Sequence, residues 1–150
     1  MTWSSVDAWV STLPTLVSLA SKSRSVPPTL KRSSTATRDT PPDTRGYWLE
    51  VLSGAPRAPF ALNGAYRERI KGNLLVFYKD DIELQTQQNL IIADYRAIIK
   101  VLSNPTNWAR TTSTIVTLLL GEPNFPFTIE QLDSGKLLTI ELTIEHEVSP

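Results

Sequence analysis

The residue types that could carry out catalysis are few in this chain. His146 is the only histidine, and there is no cysteine. Any acid-base or triad mechanism would therefore need His146, which falls on the apolar side of an alternating C-terminal segment with no matched partner beside it. We interpret His146 as a structural residue. The lack of cysteine also excludes disulfides, thiolate nucleophiles and thiolate metal sites.

Clustered carboxylates come next. Asp80, Asp81 and Glu83 together offer oxygen ligands of the kind that hard cations prefer. The same cluster is more typical of a solvated turn before a helix, because the helix dipole favours acidic side chains at its N-terminus. We predict the turn and no metal site.

Three glutamates share one face of the last alternating segment, at Glu141, Glu145 and Glu147. A glycosidase would need two carboxylates across a pocket, and an open strand face does not predict one. The spacing fits the solvated face of an antiparallel sheet.

Two regions of the chain are rich in basic residues. Arg67, Arg69 and Lys71 alternate along one strand-like segment. The other region, residues 21–45, contains Lys22, Arg24, Lys31, Arg32, Arg38 and Arg45. Either region could neutralise phosphate, but the second has no aromatic residues on which bases could stack. Contact with acidic surfaces of neighbouring subunits is the alternative that we favour, because residues 121–150 carry six acidic residues and one basic residue.

Composition excludes several other classes. The six glycines are never closer than eight positions, which excludes GxGxxG, P-loop and GxSxG motifs. Fifteen basic and fifteen acidic residues give a net charge of zero, and hence no overall attraction to nucleic acid or anionic membranes. No apolar run approaches the roughly 20 residues that span a bilayer. We expect a soluble protein that is not an enzyme and has no cofactor.

The predicted helices and strands follow from the spacing of apolar residues and from the residues that break or end regular structure. Residues 1–20 predict a short amphipathic helix, and residues 21–45 predict a basic extended arm unless a partner holds it, because they include ten Ser/Thr and four Pro but only three apolar residues. The remaining predicted elements are a strand from residue 46, a long connection at 53–65, a strand at 66–78, a helix ending at 102, strands at 111–120 and 128–132, a hairpin turn at 133–136 and a last strand through 148. Residues 46–150 therefore predict an α+β domain, a mostly antiparallel sheet packed against one long helix.

Five segments carry a family resemblance. They are RGYWLEV at 45–51, LLVFY at 74–78, LSNPTNW at 102–108, IEQLD at 129–133 and LLTIELTIE at 137–145. In order and character these segments resemble the tail terminator (tail-completion) proteins of long-tailed bacteriophages, over about residues 45–148. The resemblance implies an α+β domain that forms a homohexameric ring on the last ring of the tail tube, stops tube growth and presents a surface to the neck proteins. The long arm at 21–45 departs from that family.

The resemblance also implies where and with what the protein works. It implies a structural virion protein of the head-tail neck, assembled in the host cytoplasm, whose partners are its own copies, the tail tube protein and a neck or head-completion protein. DNA would be only the passing genome, and no membrane is involved. Two alternatives stay open: another neck component such as a head-completion protein, and a small DNA-binding module that uses the basic arm.

In such a ring the candidate residues take three expected places. Expected at a subunit, tube or neck interface are Trp48, Phe60, Arg67, Arg69 and Lys71. Expected to face the channel, where acidic side chains would repel the DNA backbone, are Glu141, Glu145 and Glu147. Expected arm contacts are Arg24, Lys31, Arg32 and Arg38.

Overall fold

The computed structural model describes residues 30–33, 35–57, 66–102, 115–120 and 127–148. Within these ranges the chain forms six strands and one helix, joined in one mixed sheet with the helix on one face. The elements are β1 Lys31–Arg32, β2 Gly46–Arg57, β3 Tyr66–Lys79, α1 Leu84–Leu102, β4 Ile115–Leu120, β5 Phe127–Gln131 and β6 Gly135–Val148. A mostly-strand sheet with one helix is compatible with the predicted α+β class.

Strand β6 is the centre of the sheet. The strands lie in the order β1-β2-β3-β6, and β4 and β5 share the far edge of β6, β5 along its first half and β4 along its second. Only β1 and β2 pair in parallel; the other pairs are antiparallel. β6 is therefore hydrogen-bonded on both sides.

The main core lies between α1 and one face of the sheet. Alternate residues of β6 point to the helix and are fully buried: Leu138, Ile140, Leu142 and Ile144. From α1 they meet Ile91, Ile98 and Leu102. Full burial of each such side chain stabilises the fold by about 1.5–3 kcal/mol, so this alternation fixes which face of β6 is inside.

A smaller apolar cluster lies on the opposite face of the sheet. It consists of Trp48, Leu75, Phe77 and Leu137, with Ala36 and Leu132 packed against it. We call Trp48, Leu75, Phe77 and Leu137 the second cluster. The end of β3 is thus apolar on both faces, as predicted for the segment near Phe77.

The predicted turn leads from β3 into α1. Gln87, in the first turns of α1, donates from Nε2 to the carbonyl oxygen of Lys79 at 3.1 Å and to Oδ1 of Asp80 at 2.7 Å. These bonds tie the start of the helix to the end of the strand. Within the described ranges, no helix combines the length and apolarity needed to cross a bilayer.

The strand predicted to begin at residue 46 is longer than expected. The sequence predicts a connection from residue 53, but β2 continues to Arg57 and pairs with β3, after a bulge at Leu52 that shifts the register between Val51 and Ser53. The prediction was wrong for residues 53–57, because backbone pairing with β3 satisfies a segment whose side chains look like a loop. Residues 58–65 lie outside the described ranges.

Part of the predicted arm belongs to the sheet. Lys31 and Arg32 pair with Gly46 and Tyr47, and Leu30 is buried in the main core at 8% exposure. The partner that holds this stretch is the chain's own sheet. The predicted helix at 1–20 and arm residues 21–29 lie outside the described ranges, as do residues 111–114 of the strand predicted at 111–120.

Candidate interface

The sheet face away from α1 turns polar beyond the second cluster. Its side chains come from β2, β3 and β6, on alternate positions that point away from the main core. They are Glu50, Arg69, Lys71, Asn73, Glu141 and Glu145, and we call them the polar face. This surface contains two of the three predicted interface cations and two of the three predicted channel glutamates.

On the polar face these opposite charges pair within one chain. Lys71 Nζ lies 2.8 Å from Glu141 Oε1, and Arg69 Nη2 lies 3.3 Å from Glu145 Oε2. The pairs form because β3 and β6 are neighbours and Arg69 stands directly opposite Glu145 in the register. The Glu145 side chain is 8% exposed, against 29% for Glu141.

This pairing changes the expected electrostatics. The sequence suggests a basic strand and an acidic strand that meet between subunits, but at Arg69 and Lys71 the acidic partner is in the same chain. The glutamate stripe is therefore compensated at Glu141 and Glu145. Of Arg67 and Glu147 the structure describes the backbone alone, in which they stand opposite each other.

Residues 35–42, which we call the strap, lie over the same face. Arg38 Nη1 is 2.7 Å from Glu130 Oε2 on β5, and its Nη2 is 4.0 Å from Glu50 Oε1 on β2. Asn73 Nδ2 donates to the same Glu50 oxygen at 3.3 Å. Arg38 thus links strands that lie on opposite sides of β3 and β6.

The strap has its own local structure. The backbone N–H of Thr37 donates to the Thr40 carbonyl oxygen at 3.1 Å, and the Thr40 N–H donates to the Thr37 hydroxyl at 3.0 Å. Ala36 N–H donates to Ser33 Oγ at 3.1 Å, and the Ala36 methyl packs on the second cluster. This reciprocal turn presents Arg38 at the tip of the strap.

Two further predicted arm contacts, Lys31 and Arg32, are exposed in β1. Burial raises the pKa of the Tyr47 hydroxyl, and the nearby charge of Arg32 partly offsets this by lowering it. Arg32 therefore lies close enough to Tyr47 in β2 for its charge to affect the pKa of that hydroxyl.

The sequence patterns do not predict the buried polar network around Arg45 and Asp94. Arg45 is fully buried with a positive φ of 61°, and its guanidinium donates to Asp94 from Nε at 2.9 Å and from Nη2 at 2.8 Å. The hydroxyl of Tyr78 donates to Asp94 Oδ2 at 3.0 Å. The available signal was Asp94 itself, a carboxylate at a core position of the helical stripe, which requires a buried partner.

Asp80 accepts hydrogen bonds from three side chains of the same chain. Its Oδ1 accepts from Gln87 Nε2 at 2.7 Å and Lys136 Nζ at 3.1 Å, and its Oδ2 accepts from Gln131 Nε2 at 2.9 Å. These bonds, that from Gln87 first, lower the pKa of the Asp80 carboxyl. The neighbouring Asp81 and Glu83 are exposed.

The remaining predicted residues divide into three groups. Trp48 is 7% exposed within the second cluster, so little of its ring is open to a neighbouring subunit. His146 lies in β6 opposite Glu68, and its side chain is not described. Outside the described ranges lie Lys22, Arg24 and Phe60.

No protein-family model matches the chain, and no curated protein matches it either.

Proposed function

We propose that this chain is a structural virion protein that forms a ring at the head-proximal end of a phage tail tube, stops tube growth and offers a docking surface to the neck. One observation carries the proposal. Four of the five resembling segments, 45–51, 74–78, 129–133 and 137–145, lie wholly or mostly on β2, β3, β5 and β6, which are neighbours in one sheet. A resemblance that is scattered in sequence is thus contiguous in space.

A closed ring needs two different patches on each subunit. This sheet has unlike edges: β1 and β2 on one side, β4 and β5 on the other. Placing the first edge of one copy beside the second edge of the next gives a head-to-tail contact that can close. The mechanism is geometric: one end of the ring docks the last tube ring, and the other lacks the tube's own docking surface, so growth stops.

The polar face suits a channel through which DNA slides. Arg69, Lys71 and Arg38 each contact a glutamate, and a cation already paired with a carboxylate is a poor ligand for phosphate. In this proposal the face stays wet and weakly charged, because its cations are held by Glu145, Glu141 and Glu130.

The mass and shape of the purified chain provide the first test. Light scattering and electron microscopy at low and high salt should show a ring whose mass does not depend on salt. A monomer that is retained on DNA at low salt and released at high salt would instead support the DNA-binding alternative.

Particles that lack this chain separate termination from other neck roles. Termination predicts tail tubes longer than normal. Normal-length tails that fail to join heads would contradict termination and favour a head-completion role. Re-supplying the chain in trans is the control, and it should restore normal length.

A further inference from the structure

The strap lies over one surface of the sheet. Leu30 is buried on the α1 side, whereas Ala36 packs on the opposite side, so the chain passes around the β2 edge between them. Beyond that edge, the described contacts of the strap with the sheet include the methyl of Ala36 on the second cluster and Arg38 between Glu130 and Glu50. Arg38 is 42% exposed, and exposed ion pairs contribute little to stability.

The anchoring of the chain changes character at Pro41. On its C-terminal side the ring of Pro42 covers Gly46 so closely that a Cβ on Gly46 would lie 2.6 Å from it. Thr44 accepts a bond from Lys79 N–H, and Arg45 is buried. These contacts are all local to the start of β2 and its neighbours, and they fix the residues after Pro41.

On the N-terminal side of Pro41, the contacts are made by a segment of chain that could make the same contacts with another copy. Residues 30–40 carry the buried Leu30, the β1 ladder, Ala36 and Arg38. The receiving groups, namely β2, the second cluster, Glu50 and Glu130, all lie after Pro41 in sequence. Each copy of the chain therefore presents an identical receiving site, and Pro41 with Pro42 forms a stiff, extended connection between this segment and the site.

We propose that residues 30–40 of each copy occupy this site on the adjacent copy in the assembled ring. This inference rests on the proposed function, because the ring supplies the high local concentration at which a segment exchanges between chains. Exchange preserves the same contacts, including Arg38 with the acidic pair Glu50 and Glu130. The occupant is a second copy of this chain, and the basic character of its segment matches the acidic site.

Exchange also constrains how the copies sit. Two residues lie between Arg38 and Pro41, and three Cα-to-Cα steps of an extended chain span about 10 Å. The receiving Glu130 on β5 must therefore lie near the donor's own β2 edge.

Cysteine cross-linking tests the exchange, because the chain has no cysteine of its own. A variant with Arg38→Cys and Glu130→Cys is assembled, its native mass is measured, and a flexible bismaleimide with the reach of an Arg-Glu contact is added. We expect covalent dimers and higher multimers on a denaturing gel. Co-refolding of the two single variants should likewise give a covalent dimer.

A matched control measures how much cross-linking between chains occurs by chance. Lys71→Cys with Thr143→Cys places the two thiols directly opposite each other on β3 and β6 of one chain, so it should give internally linked monomers. Asp39→Cys with Glu130→Cys is a second strap pair, in case the first variant folds poorly. It should behave as the first pair does.

Two results would overturn the inference, and they differ in what else they overturn. Internally linked monomers alone, from a strap variant whose native mass is that of a ring, would refute exchange and leave the proposed function standing. A monomeric native mass with internal links would refute both exchange and the ring.

Discussion

Arg45 and Asp94, 49 positions apart in sequence, form a double hydrogen-bonded ion pair from which both side chains have lost all contact with solvent. The pair joins the residue before β2 to the middle of α1. Removing one partner leaves a buried charge, at a cost of about 3–5 kcal/mol. We expect Arg45→Ala and Asp94→Ala each to lower the free energy of unfolding by that amount, measured by urea denaturation.

The pair also predicts non-additivity. Arg45→Met with Asp94→Leu removes both charges, so the double variant should lose less stability than the two single alanine variants together. Tyr78→Phe is the matched control, because it removes one hydrogen bond and no charge, at a cost of about 1 kcal/mol. Single variants that lose less than the control would contradict this role for the pair.

Asp80 predicts a component of acid sensitivity. Its hydrogen bonds lower its pKa in the folded protein below the unfolded value of about 3.9. The stability from this group is therefore present above about pH 4 and lost as the pH falls through the folded pKa. The stability difference between wild type and Asp80→Asn should be constant from pH 7 to about 5 and shrink at lower pH.

Asp81→Asn, at the exposed neighbouring carboxylate, is the control for that experiment. Denaturation curves collected at several pH values on all three proteins provide the comparison. A difference between wild type and Asp80→Asn that grows on acidification would reverse the predicted sign and rule out the proposed cause.

The two glutamates of the polar face should differ in their effect on stability. Glu145 is 8% exposed beside Arg69, whereas Glu141 is 29% exposed beside Lys71. Glu145→Gln should cost about 1.5–3 kcal/mol, as for a buried charged hydrogen bond, and Glu141→Gln at most about 1 kcal/mol. Thermal unfolding of the two variants measures the order, and equal losses would contradict it.

Two glycines of the sheet offer a second comparison. A methyl on Gly135 would overlap the carbonyl oxygen of Tyr78 and the ring of Phe77, whereas a methyl on Gly54 would meet only the terminal carbon of Ile70. Backbone cannot move aside as a side-chain end can. Gly135→Ala should therefore destabilise by about 1–3 kcal/mol, and Gly54→Ala by less, in the same urea assay.

Charge reversal on the polar face tests its weak attraction for DNA. Glu141→Lys adds a cation and removes the carboxylate that Lys71 contacts, so retention on DNA at low salt should rise several-fold and fall as salt increases. Glu83→Lys makes the same change in net charge before α1, away from the polar face, and should have a smaller effect. Equal retention of both variants would mean that total charge alone decides binding.

How far the sequence predicts this fold depends on whether the signal is local. The alternation from Leu138 to Ile144 and the turn at 133–136 directly predict β6 and its pairing with β5. The helix spacing predicts α1, although α1 begins at Leu84 and so includes polar turns before the apolar stripe. These patterns need no knowledge of distant residues.

What the sequence misses depends on partners far along the chain. Residues 53–57 read as a loop and form a strand because β3 pairs with them. Arg45 reads as the end of a polar arm and is buried because Asp94, on another element, neutralises it. Arg69 and Lys71 read as an interface, and the glutamates that contact them stand about seventy positions later. Side-chain type alone does not reveal such pairs.

The position of β6 has a consequence for the order in which the fold is made. The strand that joins β3 to β4 and β5 is the last of the described elements to be synthesised. Until Gly135–Val148 emerges from the ribosome, β3 lacks its partner along one full edge, and β4 and β5 have no sheet to join. Completion of the sheet is thus necessarily a late event in translation, and the long sequence separation between β3 and β6 favours slow folding. A chain that has not yet completed β6 exposes unpaired strand edges, the kind of surface that chaperones protect.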